Sequence, residues 1–150
     1  MRHGLKRRTV LAGAVTALAS PAIRAQAQSA GAALVIGNSK YQWEAALPNV
    51  RRDAPDIAKC FQSMGLKTEL VQDAGRDAMR RALDSFAPSA KGARLAAFYF
   101  AGHGASWGKD TYLVPVDTDL SAPSMVQSLI PVPSVANGMS AAAKIGRAHV

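Results

Sequence analysis

Cysteine is almost absent from this chain. Cys60 is the single cysteine in 150 residues, so an intrachain disulfide and a cysteine-rich metal site are both excluded. Histidine is nearly as scarce. His3 and His149 sit near the two ends, and His103 alone occupies the stretch between them, so a zinc site of several His and Cys ligands is excluded as well. The first apolar run, Ala32 to Ile36, is followed by Gly37-Asn38-Ser39. No G-x-G-x-x-G and no Gly-Lys-Ser/Thr follows it, which excludes a dinucleotide fingerprint and a P-loop at that turn. The part expected to fold has no internal repeat and no low-complexity segment. Its acids and bases nearly balance, although the whole chain carries a formal charge of +8. Arg2, Lys6, Arg7, Arg8 and Arg24 lie in residues 1–27 without one acid, and Lys144 and Arg147 lie in the last seven residues, again without one. The remainder carries +1, which argues against a nucleic-acid partner.

The basic start, Lys6-Arg7-Arg8, runs into 15 uncharged residues, Thr9 to Ile23, fewer than the ~20 of a spanning helix. Ala25-Gln26-Ala27 is a small-x-small cleavage site. With Arg7-Arg8-Thr9-Val10-Leu11, residues 1–27 read as a twin-arginine-like export signal. The expected product begins near Gln28, is exported to the periplasm or beyond, and keeps no stable membrane anchor. Residues 144–150 break the preceding pattern and read as a non-native tail. Residues 28–143 are then a partial domain.

Within that domain the pattern is β-α-β-α-β, which predicts a doubly wound parallel sheet. Ala32–Ile36 is the first buried strand. Asp53 is placed to cap a helix with Pro55 in its first turn, and Ile57, Phe61 and Met64 recur as its apolar stripe. Cys60 lies beside that stripe, where a buried, inert thiol is expected. Gly65 ends the helix. Lys67 to Val71 is a strand and Asp73 to Gly75 a turn. Arg76 to Phe86 is a second helix with Met79, Leu83 and Phe86 inward, and Pro88 to Gly92 a loop. Leu95 to Ala101 is uncharged and apolar throughout and reads as a strand buried on both faces. Trp107 to Asp110 is a turn, and Thr111 to Asp117 is strand-like up to Pro115, which together predict a small hairpin. Ser121 to Ser134 reads as loop, with a helix beginning near Ser134.

The third strand stops at Gly102-His103-Gly104. Carboxyl ends of strands are where open α/β sheets place their chemistry. An imidazole there, with an ordinary pKa of about 6.5, suits proton transfer to and from a nucleophile. Ser39 and Ser106 lack any motif that would make them nucleophiles and read as turn residues.

Several segments together resemble bacterial caspase-like peptidases, the group that includes metacaspases. They are Ala33-Leu-Val-Ile-Gly-Asn-Ser-Lys-Tyr41, Leu47-Pro-Asn49, Asp53-Ala54, Phe98-Tyr-Phe-Ala-Gly-His-Gly104 and Tyr112-Leu-Val-Pro-Val-Asp117. The resemblance covers about Ala32 to Asp117. It implies a caspase-hemoglobinase-like parallel sheet flanked by helices, truncated here before the strand that carries the catalytic cysteine. It implies a cysteine endopeptidase in which His103 is the histidine of a Cys–His dyad and the Gly104 backbone N–H donates to the oxyanion. It also implies that Asp53, at the family's Asp-Ala, lines a pocket for a basic residue of the substrate, although Arg52 stands where the family has asparagine. In caspase signatures the cysteine follows the histidine by about 50 residues, just past Val150, so the dyad's nucleophile is not expected in this chain and Cys60 is not it. No cofactor is implied. For calcium, no acidic loop cluster stands out. The partner is a protein or peptide substrate. The alternative reading is a caspase-like module used for interaction or regulation without catalysis, and a more distant one is a small-ligand-binding α/β domain of another family.

Overall fold

A computed structural model describes residues 31–91 and 93–140. The expected export signal, its cleavage site, the 144–150 tail, His3 and His149 lie outside the described residues. Three parallel strands form the main sheet in the order β2-β1-β3, namely β2 (Leu66–Gln72), β1 (Gly31–Gly37) and β3 (Ala96–Ala101). Helix α1 (Val50–Ser63) joins β1 to β2, and α2 (Arg76–Ala90) joins β2 to β3. The predicted β-α-β-α-β order is therefore present.

The alternation of side chains along β1 explains the two layers around it. Leu34 and Ile36 face Met79, Ala82 and Phe86 of α2. Val35 faces the other way, toward Ala54 and Ala58 of α1. With both faces covered, every residue of β1 is buried, and each large side chain so buried contributes about 1.5–3 kcal/mol.

The third strand departs from expectation. It begins at Ala96, not Leu95, and all six of its residues are only half-buried. Leu95 is 46% exposed. Among the described residues β3 lies at the edge of the sheet, so its apolar run is not enclosed as that of β1 is.

Both helices also differ in detail. Helix α1 starts at Val50, three residues before the expected cap, and Asn49 takes the N-cap position. Asp53 is an exposed residue of the first turn. Its backbone N–H donates to the Asn49 carbonyl at 3.1 Å. The buried stripe is Val50, Ala54 and Ala58, with Ile57 and Phe61 at its margin and Met64 55% exposed. The small residues face inward because α1 lies close against β1. A Cβ on Gly37 would come within 2.5 Å of the Ala54 Cβ. Cys60 is exposed, contrary to the expectation of a buried thiol. It is two residues, about 200° of helix rotation, beyond Ala58. Gly65 ends the helix as expected, with φ of 81°. Helix α2 runs on through Pro88 to Ala90 where a loop was expected. Pro88 forfeits one intrahelical bond, but Phe86 and the fully buried Ala90 hold the last turn on the core.

The predicted hairpin is β4 (Gly104–Trp107) and β5 (Asp110–Leu113), paired antiparallel, and β5 stops before Pro115. Residues 121–134 are not all loop. A single turn, α3 (Met125–Ser128), precedes β6 (Ile130–Pro131), which pairs with β5 to give the order β4-β5-β6. Helix α4 (Val132–Ser140) then packs on α2. Elements this short carry too little periodicity to read from sequence.

Candidate active site

Three loops meet at the carboxyl end of the main sheet. The residue that joins them is Asn38, fully buried just after β1. Its Nδ2 donates to the carbonyls of Ala74 and Val114, each at 3.2 Å, and its Oδ1 accepts from the Ala74 N–H at 2.9 Å. The loop after β1 is thereby tied to the β2–α2 turn and to the segment after β5. Asp73, at φ of 51°, supports the same loop from below. Its Oδ1 accepts from the backbone N–H groups of Ser39 (2.8 Å) and Lys40 (2.9 Å). Ser39 is buried, and its hydroxyl donates to the Leu47 carbonyl at 2.9 Å. Leu47 N–H donates back to the Ser39 carbonyl at 2.9 Å. Residues 39–47 therefore form a closed loop.

That loop seats His103. The Tyr41 hydroxyl accepts from the His103 backbone N–H at 2.8 Å and donates to the Val114 carbonyl at 3.2 Å. The Tyr41 ring lies against the imidazole, with centroids 4.6 Å apart and planes at 58°. Gly102 makes this approach possible, since a Cβ there would come within 2.6 Å of both the Tyr41 hydroxyl and the Phe100 ring. The imidazole Nε2 lies 2.8 Å from the Ala45 carbonyl oxygen. A carbonyl can only accept, so Nε2 carries the proton in this bond. In the neutral ring Nδ1 is then the unprotonated acceptor. His103 itself is half-buried.

Gly104 follows, exposed, at the start of β4. It is opposite Leu113, and the Val114 N–H donates to the His103 carbonyl at 3.0 Å. This pattern marks Gly104 and Leu113 as a non-hydrogen-bonded pair of the ladder. The Gly104 N–H thus points away from β5.

Burial raises the pKa of the Tyr41 hydroxyl above its ordinary value, an effect only partly opposed by its bond to the His103 N–H. The unfolded chain ionises this phenol first, at about pH 10, so the folded state then binds the extra proton. Stability is full below about pH 10 and falls as pH rises toward the folded value. Denaturant unfolding at pH 8 to 11 is expected to show this loss, and Tyr41→Phe to flatten it. The same substitution strands the His103 N–H and is expected to cost about 1–3 kcal/mol at pH 7.

The other candidate residues lie apart from the imidazole. Asp53 is at the same end of the sheet, on the exposed first turn of α1. No hydrogen bond or ion pair joins it to His103 among the described residues. Cys60 is ten residues along α1 from Val50, about 15 Å at 1.5 Å per residue, toward the amino end of β2. Ser106 is exposed on β4. Sequence reasoning did not single out Asn38, Tyr41, Asp73 or Ala45. The first two do lie in the Gly-Asn-Ser-Lys-Tyr motif, whereas a backbone carbonyl such as that of Ala45 has no residue-type signature. A cavity of about 290 Å³ lies elsewhere, between α2 and α4, with Phe86, Ile130, Val135 and Met139 in its walls. Among the described residues no cluster of three or more His, Cys, Asp or Glu side chains could hold a metal ion, and no helix is long and apolar enough to cross a membrane.

The family model of the caspase domain (peptidase C14) matches residues 30–144. No curated protein matches the chain.

Proposed function

The chain belongs to the caspase-domain family of peptidases, and we propose that it is the histidine-bearing part of a cysteine endopeptidase. The observation that carries this reading is the bond from His103 Nε2–H to the Ala45 carbonyl. It holds the ring in one tautomer and leaves Nδ1 as a base, beside a backbone N–H at Gly104 that the hairpin does not use.

The proposed chemistry follows from those two groups. A thiol brought to Nδ1 gives up its proton, and the sulfur attacks the scissile carbonyl carbon. The new oxyanion accepts from the Gly104 N–H, and one such donor is worth about 10²–10³-fold in rate. The imidazolium, with its Nε2–H still on Ala45, returns the proton to the departing amine. The C–N bond breaks and a thioester remains, which water hydrolyses with the same imidazole as base. Tyr41 contributes by holding the His103 backbone and is a positioning residue.

The thiol is proposed to come from a cysteine about 50 residues after the histidine. Cys60 does not serve, since it lies toward the opposite end of the sheet. Asp53 is proposed to attract a basic residue before the scissile bond, because its carboxylate is exposed at the histidine's end of the sheet. Export, read from residues 1–27, belongs to the same proposal. The test is cleavage of fluorogenic arginyl and lysyl peptides by the full-length protein. Turnover of these peptides supports a peptidase, and none with a correctly folded full-length protein favours the non-catalytic module.

A further inference from the structure

The loop that seats His103 is held by hydrogen bonds and not by burial. No side chain of residues 40–46 belongs to the hydrophobic core among the described residues, and most of the segment is exposed. The bonds between Ser39 and Leu47 tie its two ends to each other. Its ties to the rest of the molecule are few. The Gln42 N–H donates to the Val116 carbonyl at 2.9 Å. Tyr41 reaches Val114 and the His103 backbone, and the Ala45 carbonyl accepts from the imidazole. The remaining ties lead to Asp73. Its Oδ1 accepts from two successive backbone N–H groups, those of Ser39 at 2.8 Å and Lys40 at 2.9 Å. Two convergent donors on one anionic oxygen form a charge-assisted, directional clamp. Its Oδ2 lies 4.0 Å from the Lys40 ammonium, an exposed contact that adds little.

The backbone of Asp73 is shaped to this use. Its φ of 51° is the only positive value at a non-glycine among the described residues. Left-handed backbone costs energy at any residue with a side chain, and least at Asp and Asn. Such conformations persist where the surroundings impose them, and they collect at functional sites. Here the Asp73 N–H donates to the Gly37 carbonyl at 2.9 Å, while the carboxylate holds the N–H groups of Ser39 and Lys40. One residue thus grips the exit of β1 through both its main chain and its side chain, at the point where the histidine's loop begins.

We propose that Asp73 is a positioning residue for the peptidase reaction: by clamping the start of the 39–47 loop it keeps the Ala45 carbonyl on His103 Nε2, and so governs proton transfer and not substrate affinity. The inference rests on the peptidase reading of His103. No hydrogen bond joins Asp73 to His103 among the described residues, so the effect travels through the loop. It passes from the clamp at Ser39 and Lys40 to Tyr41, which holds the histidine backbone, and to Ala45, which holds its ring. Loosening the clamp lets the carbonyl leave Nε2. The neutral imidazole then exchanges its proton between the two nitrogens, and only the Nε2–H form leaves Nδ1 free as the base. A displacement of about 1 Å that originates far from the chemistry can cost ~100-fold in rate.

Two substitutions separate the clamp from the fold. Asp73→Gly takes the left-handed backbone without strain and removes the acceptor. Asp73→Asn tolerates the same backbone and keeps an oxygen acceptor, losing only the charge. In the full-length protein, Asp73→Gly is expected to lower kcat for a fluorogenic arginyl peptide by about 10–100-fold, with KM changed less than about threefold. Asp73→Asn is expected to keep about a third of kcat or more. The second readout needs no turnover. Nitrogen NMR of the imidazole at about pH 8, above the ordinary histidine pKa of about 6.5, separates a protonated ring nitrogen from a bare one. The His103 pair is identified by its absence from His103→Ala. The pair is expected to be widely split in the unaltered protein and in Asp73→Asn, and to converge in Asp73→Gly as the tautomers exchange. Unchanged kcat or unchanged splitting in Asp73→Gly overturns the proposal. So does an Asp73→Asn variant as impaired as Asp73→Gly, because the acceptor is then not what matters. An Asp73→Gly variant that circular dichroism shows to be unfolded overturns it too, because Asp73 then supports the fold alone. No turnover by the unaltered protein, with the splittings as expected, would instead sink the peptidase reading and leave the link from Asp73 to the ring standing.

Discussion

Full-length protein carrying His103→Ala is expected to cleave fluorogenic arginyl and lysyl peptides ~1,000-fold more slowly than the unaltered protein, or not at all. Proton transfer by a positioned side chain contributes about 10²–10⁴-fold, and here the same imidazole is assigned both the deprotonation of the thiol and the protonation of the amine. The variant is well suited to the test because it leaves the local fold supported. Tyr41 bonds the backbone N–H of residue 103 and the Val114 N–H bonds its carbonyl. Neither bond needs the imidazole. What is lost is the ring's contact with Tyr41 and its bond to Ala45. Unfolding midpoints of the two proteins are therefore expected to be close while their kcat values differ widely. Undiminished cleavage by the variant would remove His103 from the mechanism.

Asn38→Ala is expected to have the largest effect on stability, about 3–5 kcal/mol. The side chain is fully buried and makes hydrogen bonds to both the N–H and the carbonyl of Ala74 and to the carbonyl of Val114. Truncation strands the Ala74 N–H in an interior that cannot offer it water, at about 1–3 kcal/mol, and takes one hydrogen bond from each of the two carbonyls, at about 0.5–1.5 kcal/mol apiece. The Ala74 carbonyl keeps the Val116 N–H and the Val114 carbonyl keeps the Tyr41 hydroxyl, so the loss at each carbonyl is partial. A domain of this size loses roughly 4–8 °C of Tm per kcal/mol, so thermal unfolding should fall by more than about 10 °C. Because Val114 and the 39–47 loop also seat the imidazole, residual activity in the full-length variant should fall below what its folded fraction accounts for. A shift in Tm of only a degree or two would mean that the three loops hold together without Asn38.

Apolar runs and glycine punctuation made the main sheet legible, since β1 ends at Gly37 and β3 ends just before Gly102. Which strand was central was not legible. The runs of β1 and β3 are similarly apolar, yet β1 is enclosed and β3 is half-open. Hydrophobicity reports what a strand can bury and not what covers it. Helix α1 misled in a related way. Ile57, Phe61 and Met64 are its large side chains, but the helix meets β1 through Ala54 and Ala58, where small residues permit close approach. With the true contact face some 50° away, Cys60 moves from the margin of the core to the surface. At the site, His103 was legible from its position at a strand end. Its tautomer was not, because the Ala45 carbonyl that sets it belongs to the backbone of a loop closed by Ser39 and Leu47.

The central claim is that His103 activates a cysteine that follows it in the full-length protein, and covalent labelling tests this most directly. An arginyl peptide chloromethyl ketone captures an activated thiol at the site, and peptide mass spectrometry locates the adduct. The expected result is one adduct, on a cysteine C-terminal to His103, formed in the unaltered protein and lost in His103→Ala, with Cys60 unmodified. An adduct on Cys60 that accompanies loss of activity, or labelling that proceeds unchanged without the imidazole, would contradict it.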